Sequence, residues 1–373
     1  MMSQITPITM PKFGLAMTEG KVALWSKPEG AEIKVGDELA DIETTKITNA
    51  YESPVRGNLR RHVAPEGEDL PVGALIAVVA DAGVPDAEID AFIAQFQASF
   101  AIKGGDVAAA PPEPKTMQAG AWTIRYLETG EGQDGTPILL IHGFGGDLNN
   151  WLFTQPALSE RHRVIAIDLP GHGGSTKQMD SGDLSTLAGA VVSLMKALDL
   201  PACHLVGHSL GGAVALQVAL DEPGRVAAVT LLAPAGMGGP INHAFIQGFI
   251  TSGRHKQLQP VLELLFADPT LVSRDMAEEV LRFKRLDGAE QALQRIADAS
   301  FDGDRQRISL REQAAALGAV PVQVIWGEKD QILPPGADLP GGWTLHTLPD
   351  TGHMPHMERS AEVNRLILDF TAG

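Results

Sequence analysis

Gly207-His-Ser-Leu-Gly211 directly follows the apolar run Cys203 to Val206 and opens a helix-forming stretch, Gly212 to Leu220. A strand, a Gly-x-Ser-x-Gly turn and a helix in that order describe a sharp elbow. The two glycines occupy positions where a side chain would collide as the strand folds back. Ser209 is left at the apex, held in a strained conformation with its hydroxyl exposed. The helix N-terminus adds partial positive charge where an oxyanion would form. Working outward, Pro137-Ile-Leu-Leu-Ile141, Val164-Ile-Ala-Ile167, Val226 to Leu232 and Val322-Gln-Val-Ile-Trp326 are continuous apolar runs. Strands buried on both faces of a parallel sheet read that way. Helical stretches such as Leu184 to Leu198 alternate with them. The expectation for residues 118–373 is a doubly wound, mostly parallel α/β domain. Residues from about 235 to 310 break the rhythm and are mostly helical, an insertion suited to a cap over the strand ends.

Partners for Ser209 come from the ends of other strands. His142-Gly-Phe-Gly-Gly146 follows Ile138 to Ile141. It offers the Phe144 backbone N–H as one oxyanion donor, and the Leu210 N–H, next to the nucleophile, is the second. Gly327-Glu-Lys-Asp330 follows Val322 to Trp326 and supplies the acid, Asp330, with Glu328 as competitor. Asp350-Thr-Gly-His353 supplies the base, His353, with His356 as competitor. The order Ser, Asp, His lets strand-end groups converge on a triad. On these motifs, and on Asp168-Leu-Pro-Gly-His-Gly-Gly-Ser175, residues 121–373 resemble the α/β-hydrolase family; Asp168 is read there as structural. Those motifs are specific to the fold and leave the substrate open. The histidines have no carboxylate set beside them at metal-ligand spacing, so no metal site is expected. Cys203 opens a buried strand with no elbow after it and is not expected to act as a nucleophile.

The first 80 residues read differently. Short β-like runs, among them Lys21 to Trp25 and Ala74 to Val79, alternate with Gly/Pro/Asp clusters such as Ser53-Pro-Val-Arg-Gly57. This predicts a small all-β barrel or sandwich. Between two such runs lies Asp41-Ile-Glu-Thr-Thr-Lys-Ile-Thr-Asn49, which sets Lys46 at a hairpin tip. With Met10 to Gly20 and Glu32 to Asp37, this stretch resembles the lipoyl domains of 2-oxo acid dehydrogenase-type complexes. The resemblance implies a lipoyl/biotinyl-type barrel-sandwich over residues 1–80, with lipoate amide-linked to Lys46. Thr45 replaces the acidic residue common before that lysine. Biotin carriers flank theirs with methionines, whereas here the neighbours are Thr45 and Ile47. Residues 81–117 form the connection: a helix with Ile89, Phe92, Ile93, Phe96 and Phe100 at helical spacing, then the stiff Ala/Pro stretch Ala108 to Pro114. That apolar face needs a partner, either a flanking domain or another protein.

Net charge of −17 argues against nucleic acid or an anionic membrane as partner. A single cysteine fits a reducing cytoplasm. No signal-peptide layout and no membrane-length apolar run is present, so a soluble cytoplasmic protein is expected.

Lipoyl domains point to acyltransferase subunits, yet the His-x-x-x-Asp-Gly motif of their usual catalytic domain is missing. A lipoyl domain joined to a serine-triad domain resembles the dihydrolipoamide acetyltransferase components of acetoin dehydrogenase complexes. That resemblance implies a homo-oligomer passing acetyl groups from lipoyl-Lys46 to coenzyme A. Its partners would be a thiamine-diphosphate-dependent acetoin-cleaving component and a dihydrolipoyl dehydrogenase. No peripheral-subunit-binding domain is assigned in residues 81–117, and no basic cluster marks a coenzyme A site. Two alternatives stay open: a plain serine hydrolase, esterase or C–C-bond hydrolase, with a lipoyl-type docking module, and a non-catalytic assembly subunit.

Overall fold

A computed structural model describes residues 5–11, 19–43, 48–104, 112–318, 320–335 and 339–371. They form two units, Met1–Pro111 and Pro112–Gly373.

In the first unit, two four-stranded sheets face each other. One contains Ile5–Thr9, Leu75–Ala80, Gly57–His62 and Glu32–Ile33; the other contains Thr48–Glu52, Glu38–Glu43, Glu19–Trp25 and Asp69–Pro71. Alternate residues point inward. Ile8, Val22, Ile33, Leu39, Ile42, Leu59 and Ile76 make the core between the sheets. Glu38–Glu43 and Thr48–Glu52 pair antiparallel, Glu43 opposite Thr48. Lys46 lies in the chain between these two residues, outside the described residues.

Every residue of Leu75–Ala80 is buried, on both faces of its sheet. The outer face is covered by the helix Asp86–Gly104, whose Ile89, Phe92, Ile93 and Phe96 pack on Leu75, Val78 and Ala80. Arg60 and Arg61 fix the start of the helix through Asp86, at 3.0 and 3.9 Å. The helix is thus part of the β module, not of a connection to the next domain. The apolar face that the sequence leaves without a partner is occupied within its own unit.

The second unit is built on one eight-stranded sheet. Six strands are parallel, in the order Thr344–Leu348, Val322–Gly327, Val226–Leu232, Cys203–His208, Gly135–Ile141, His162–Ile167. Two antiparallel pairings then add Trp122–Thr129 and Lys115–Ala119 at the edge. The sheet therefore begins at Lys115, inside the stretch read from sequence as a connection. Apolar layers cover both faces: Leu139, Ile141, Leu205, Val229 and Val324 point to one, Ile138, Leu140, Val206, Leu232 and Ile325 to the other. Five α-helices follow Val226–Leu232 before the sheet resumes: His243–Thr251, His255–Glu263, Arg274–Lys284, Ala289–Ser300 and the single turn Arg311–Ala314. No helix among the described residues is long and apolar enough to cross a membrane.

Candidate active site

Ser209 stands where Cys203–His208 ends and Leu210–Asp221 begins. Its backbone lies at φ 51° and ψ −118°, a region L-residues seldom adopt. Neighbouring chain holds it there. The Ser209 N–H donates to the Leu232 carbonyl at 3.0 Å, and the Ser209 carbonyl accepts from Gly212 and Ala235 at 2.9 and 3.0 Å. Side-chain-free positions are obligatory around this bend. A Cβ on Gly207 would lie 2.3 Å from the Gly211 carbonyl oxygen, and one on Gly143 would lie 2.9 Å from the Ser209 Cβ. The loop His142–Gly146 thus passes within van der Waals contact of Ser209.

That loop is fixed by two neutral histidines. His142 donates Nδ1–H to the Gly143 carbonyl (2.7 Å) and accepts from the Leu169 N–H at Nε2 (3.0 Å). His172 donates Nδ1–H to the Pro170 carbonyl (3.1 Å) and accepts from the Gly145 N–H at Nε2 (3.1 Å). Burial is the main cause holding both rings below their ordinary pKa, His172 well below it. Each ring has one nitrogen donating and one accepting, which only a neutral tautomer can do. Gly146 N–H donates to the Gly143 carbonyl (3.1 Å). The Phe144 N–H makes no hydrogen bond to a described residue, and Leu210 opens its helix, so its N–H has no intrahelical partner. Both are free to donate.

Asp330 follows Val322–Gly327, and His353 follows Thr344–Leu348. His353 Nδ1–H donates to Asp330 Oδ2 at 2.7 Å, which turns Nε2 away from the carboxylate. Asp330 is saturated with donors: Trp326 Nε1–H reaches Oδ2 at 3.0 Å, and the Ile332 and Leu333 N–H groups reach Oδ1 at 2.8 and 3.0 Å. These bonds hold the carboxylate in one orientation. His353 is tied at its backbone too. Its N–H donates to the Leu265 carbonyl (2.8 Å), and its carbonyl accepts from His208 Nε2–H (2.8 Å). Ser209, Asp330 and His353 thus all sit at C-terminal ends of parallel strands, where open α/β sheets place their ligands.

The competitors stand elsewhere. Glu328 is exposed. His356 is fully buried between the Trp151 and His208 rings, without a hydrogen-bond partner on either nitrogen. Burial pushes it down to about 3. Cys203 is buried, with its thiol pushed up to about 12 by burial. Asp168 accepts from the Leu148 and Gly174 N–H groups and pairs with Arg125 at 3.1 Å, tying loops together. Sequence reading did not single out the orienting roles of Trp326, His172 and His208. His172 was visible inside the quoted Asp168–Ser175 motif; Trp326 looked like one more apolar strand residue.

Cap residues close over the oxyanion loop. The Phe144 ring meets Phe249 and Phe301 edge-on, at 5.9 and 6.1 Å between centroids, and Phe283 stacks on His172 at 6.2 Å. The arrangement offers a hydroxyl on a strained turn, an imidazole oriented by a carboxylate and an aromatic surround, a set chemically able to carry out acyl transfer.

Comparison with known proteins agrees with both units. Residues 136–360 match the alpha/beta hydrolase fold family, and residues 6–79 match the biotin/lipoyl family described as biotin-requiring enzyme. The chain is 49% identical over 370 residues to the dihydrolipoyllysine-residue acetyltransferase component of the acetoin cleaving system of Pseudomonas putida, covering 99% of each. It is 43% identical to the component of the same name in Cupriavidus necator, covering 99% of this chain and 98% of that one. Among solved structures, a mutant of a meta-cleavage product hydrolase superposes with a TM-score of 0.61 at 25% identity, covering 69% of this chain and 97% of that one. A lipoyl-type module joined to an α/β-hydrolase fold, matched along its full length by such relatives, belongs to the family of dihydrolipoyllysine-residue acetyltransferase components of acetoin-cleaving systems.

Proposed function

We propose that the chain transfers an acetyl group from a lipoyl thioester carried on Lys46 to coenzyme A, through Ser209, His353 and Asp330. The observation that carries this reading is the 2.7 Å His353–Asp330 bond, on strand ends shared with the strained Ser209, in a chain that also has a lipoyl-type module. Lys46 offers the amine to which lipoate is joined as an amide. Lipoate supplies a thiol on a long arm, able to hold the acetyl group as a thioester.

Ser209 Oγ attacks the thioester carbonyl while His353 Nε2 takes the hydroxyl proton. The N–H groups of Phe144 and Leu210 stabilise the oxyanion, and Asp330 stabilises the imidazolium. As the tetrahedral intermediate collapses, the carbon–sulfur bond breaks and the leaving thiolate takes the proton from His353. The thiol of coenzyme A then gives its proton to His353 and attacks the acetyl-serine. Its collapse releases acetyl-coenzyme A and returns the proton to Ser209. The aromatic surround of Phe144 disfavours water as acceptor.

The names of the full-length relatives imply other components of an acetoin-cleaving system. The partners that fit are a thiamine-diphosphate-dependent component that loads the arm and a dihydrolipoyl dehydrogenase that reoxidises it. A homo-oligomeric core in the cytoplasm completes the reading. Product analysis tests it. Acetylated lipoamide plus coenzyme A yields acetyl-coenzyme A. Free acetate as the main product in the presence of coenzyme A would instead make the chain a hydrolase. Intact mass of the protein from its own host reads Lys46: lipoate adds about 188 Da.

A further inference from the structure

The chain carries a net charge of −17, yet one place on the cap concentrates positive charge. Gly253, Arg254 and His255, between two cap helices, face Leu281, Arg282 and Arg285 across a cavity of 390 Å³. That size falls among small-molecule sites, about 300–1,000 Å³. Among the described residues Glu278 is the one carboxylate lining it; it pairs with Arg274 at 2.8 Å, and its carboxyl is held below the ordinary range by Arg274 first, with smaller effects from His255 and Arg282. Arg254, Arg282 and Arg285 form no ion pair with any described residue. His255 Nε2 is buried without a hydrogen-bond partner. Three guanidiniums around one cavity outnumber the carboxylate that lines it with them, and a bound multivalent anion relieves their mutual repulsion.

The cavity is coupled to the reacting centre. Its helix, Arg274–Lys284, ends in Phe283, stacked on the His172 ring that accepts from Gly145, and in Lys284. Lys284 Nζ donates to the carbonyls of Phe249 and Ser252. Phe249 in turn packs on Phe144. The elements that line the cavity on one side thus hold the oxyanion loop on the other.

We propose that this cavity is the subsite for the phosphates of the acyl acceptor's nucleotide, with Arg254, Arg282 and Arg285 as phosphate ligands and His255 as a further donor. The proposal rests on coenzyme A being the acceptor. Coenzyme A separates its phosphates from its thiol by a long pantetheine arm. The phosphate site must therefore lie off the reacting centre, on the element that covers it. Long polyanions are disfavoured by the acidity of the rest of the chain.

The full-length lipoylated protein is titrated calorimetrically with coenzyme A, pantetheine and inorganic phosphate, beside a double variant carrying Arg282→Ala and Arg285→Ala. Thermal unfolding of both proteins checks folding. The double variant is expected to bind coenzyme A at least 10-fold more weakly. Arg→Lys at the same two positions restores part of the affinity. In turnover, the ratio of KM for pantetheine to KM for coenzyme A falls from at least 10 toward one in the alanine variant. Equal coenzyme A affinity in the two proteins would overturn the subsite. So would inorganic phosphate binding as tightly as coenzyme A, which marks an adventitious ion only. A protein that transfers no acetyl group but still loses coenzyme A binding in the variant would refute the transferase reading and leave the subsite standing.

Discussion

Asp330 shows how one side chain is made useful by its neighbours. Four donors converge on its carboxylate, and one of them is the His353 ring. Replacing it by Asn keeps the shape but lets the imidazole turn to the wrong tautomer. Asp330→Asn is expected to lower kcat about 10³–10⁴-fold with little change in stability, read by steady-state kinetics and thermal unfolding. His356 makes a contrasting prediction about pH. Its folded pKa is about 3, below the ordinary 6.5, so between these values the unfolded chain binds a proton that the folded chain does not. Its contribution to stability is complete above pH 6.5 and is lost as pH falls toward 3. The slope is about 1.4 kcal/mol per pH unit for each such histidine. His204, also held near 3 by burial, adds a second. Urea unfolding from pH 7 to 5 is expected to show a falling free energy, and His356→Phe, which keeps a ring beside Trp151, is expected to flatten it by about 1 kcal/mol per pH unit averaged over that range. An unchanged slope would contradict the assignment. Ser209 and Asp330 were legible as candidates because each follows an apolar strand in a short polar motif, and His353 because it stands in Asp350-Thr-Gly-His353 near the C-terminal end of the chain order Ser, Asp, His. Trp326 was not, because a ring donating to a carboxylate has the same sequence signature as a ring filling a core.

At the scale of elements, continuous apolar runs betrayed the central parallel strands, and the elbow followed from its glycines. The edge strand Lys115–Ala119 and its neighbour Trp122–Thr129 were harder to see: each is partly exposed and has no continuous apolar run, so polar residues interrupt it. The helix Asp86–Gly104 was legible as a helix, but its partner was not. Helical periodicity says that a face must be buried and does not say against what. That partner is the outer face of Leu75–Ala80. Ile89 is fully buried there. Ile89→Ala is expected to cost the β module about 2–5 kcal/mol. Hydrogen exchange would read this as faster exchange in Leu75–Ala80, and exchange at the unaltered rate would show that the helix does not brace the module. The cap arginines lay beyond sequence reading for a related reason. Arg254 and Arg282 are far apart in the chain, and only the folding of the cap sets them around one cavity.

The whole molecule joins a lipoyl-type module to an α/β-hydrolase-fold domain, and each half can be tested separately. Lys46→Arg keeps the charge but removes the amine that lipoate acylates. It is expected to abolish acetyl-coenzyme A formation by the assembled acetoin-cleaving system, while transfer from free acetylated dihydrolipoamide keeps its wild-type rate. Loss of both activities would mean that Lys46 has another role. The central claim is that the acetyl group passes through Ser209. Its most direct test is acetyl-coenzyme A formation from acetylated dihydrolipoamide, followed in a single turnover by wild type and Ser209→Ala. A loss of about 10³-fold or more is expected in the variant, with acetyl-serine detectable in the wild type before coenzyme A is added. Transfer by Ser209→Ala at the wild-type rate would contradict it.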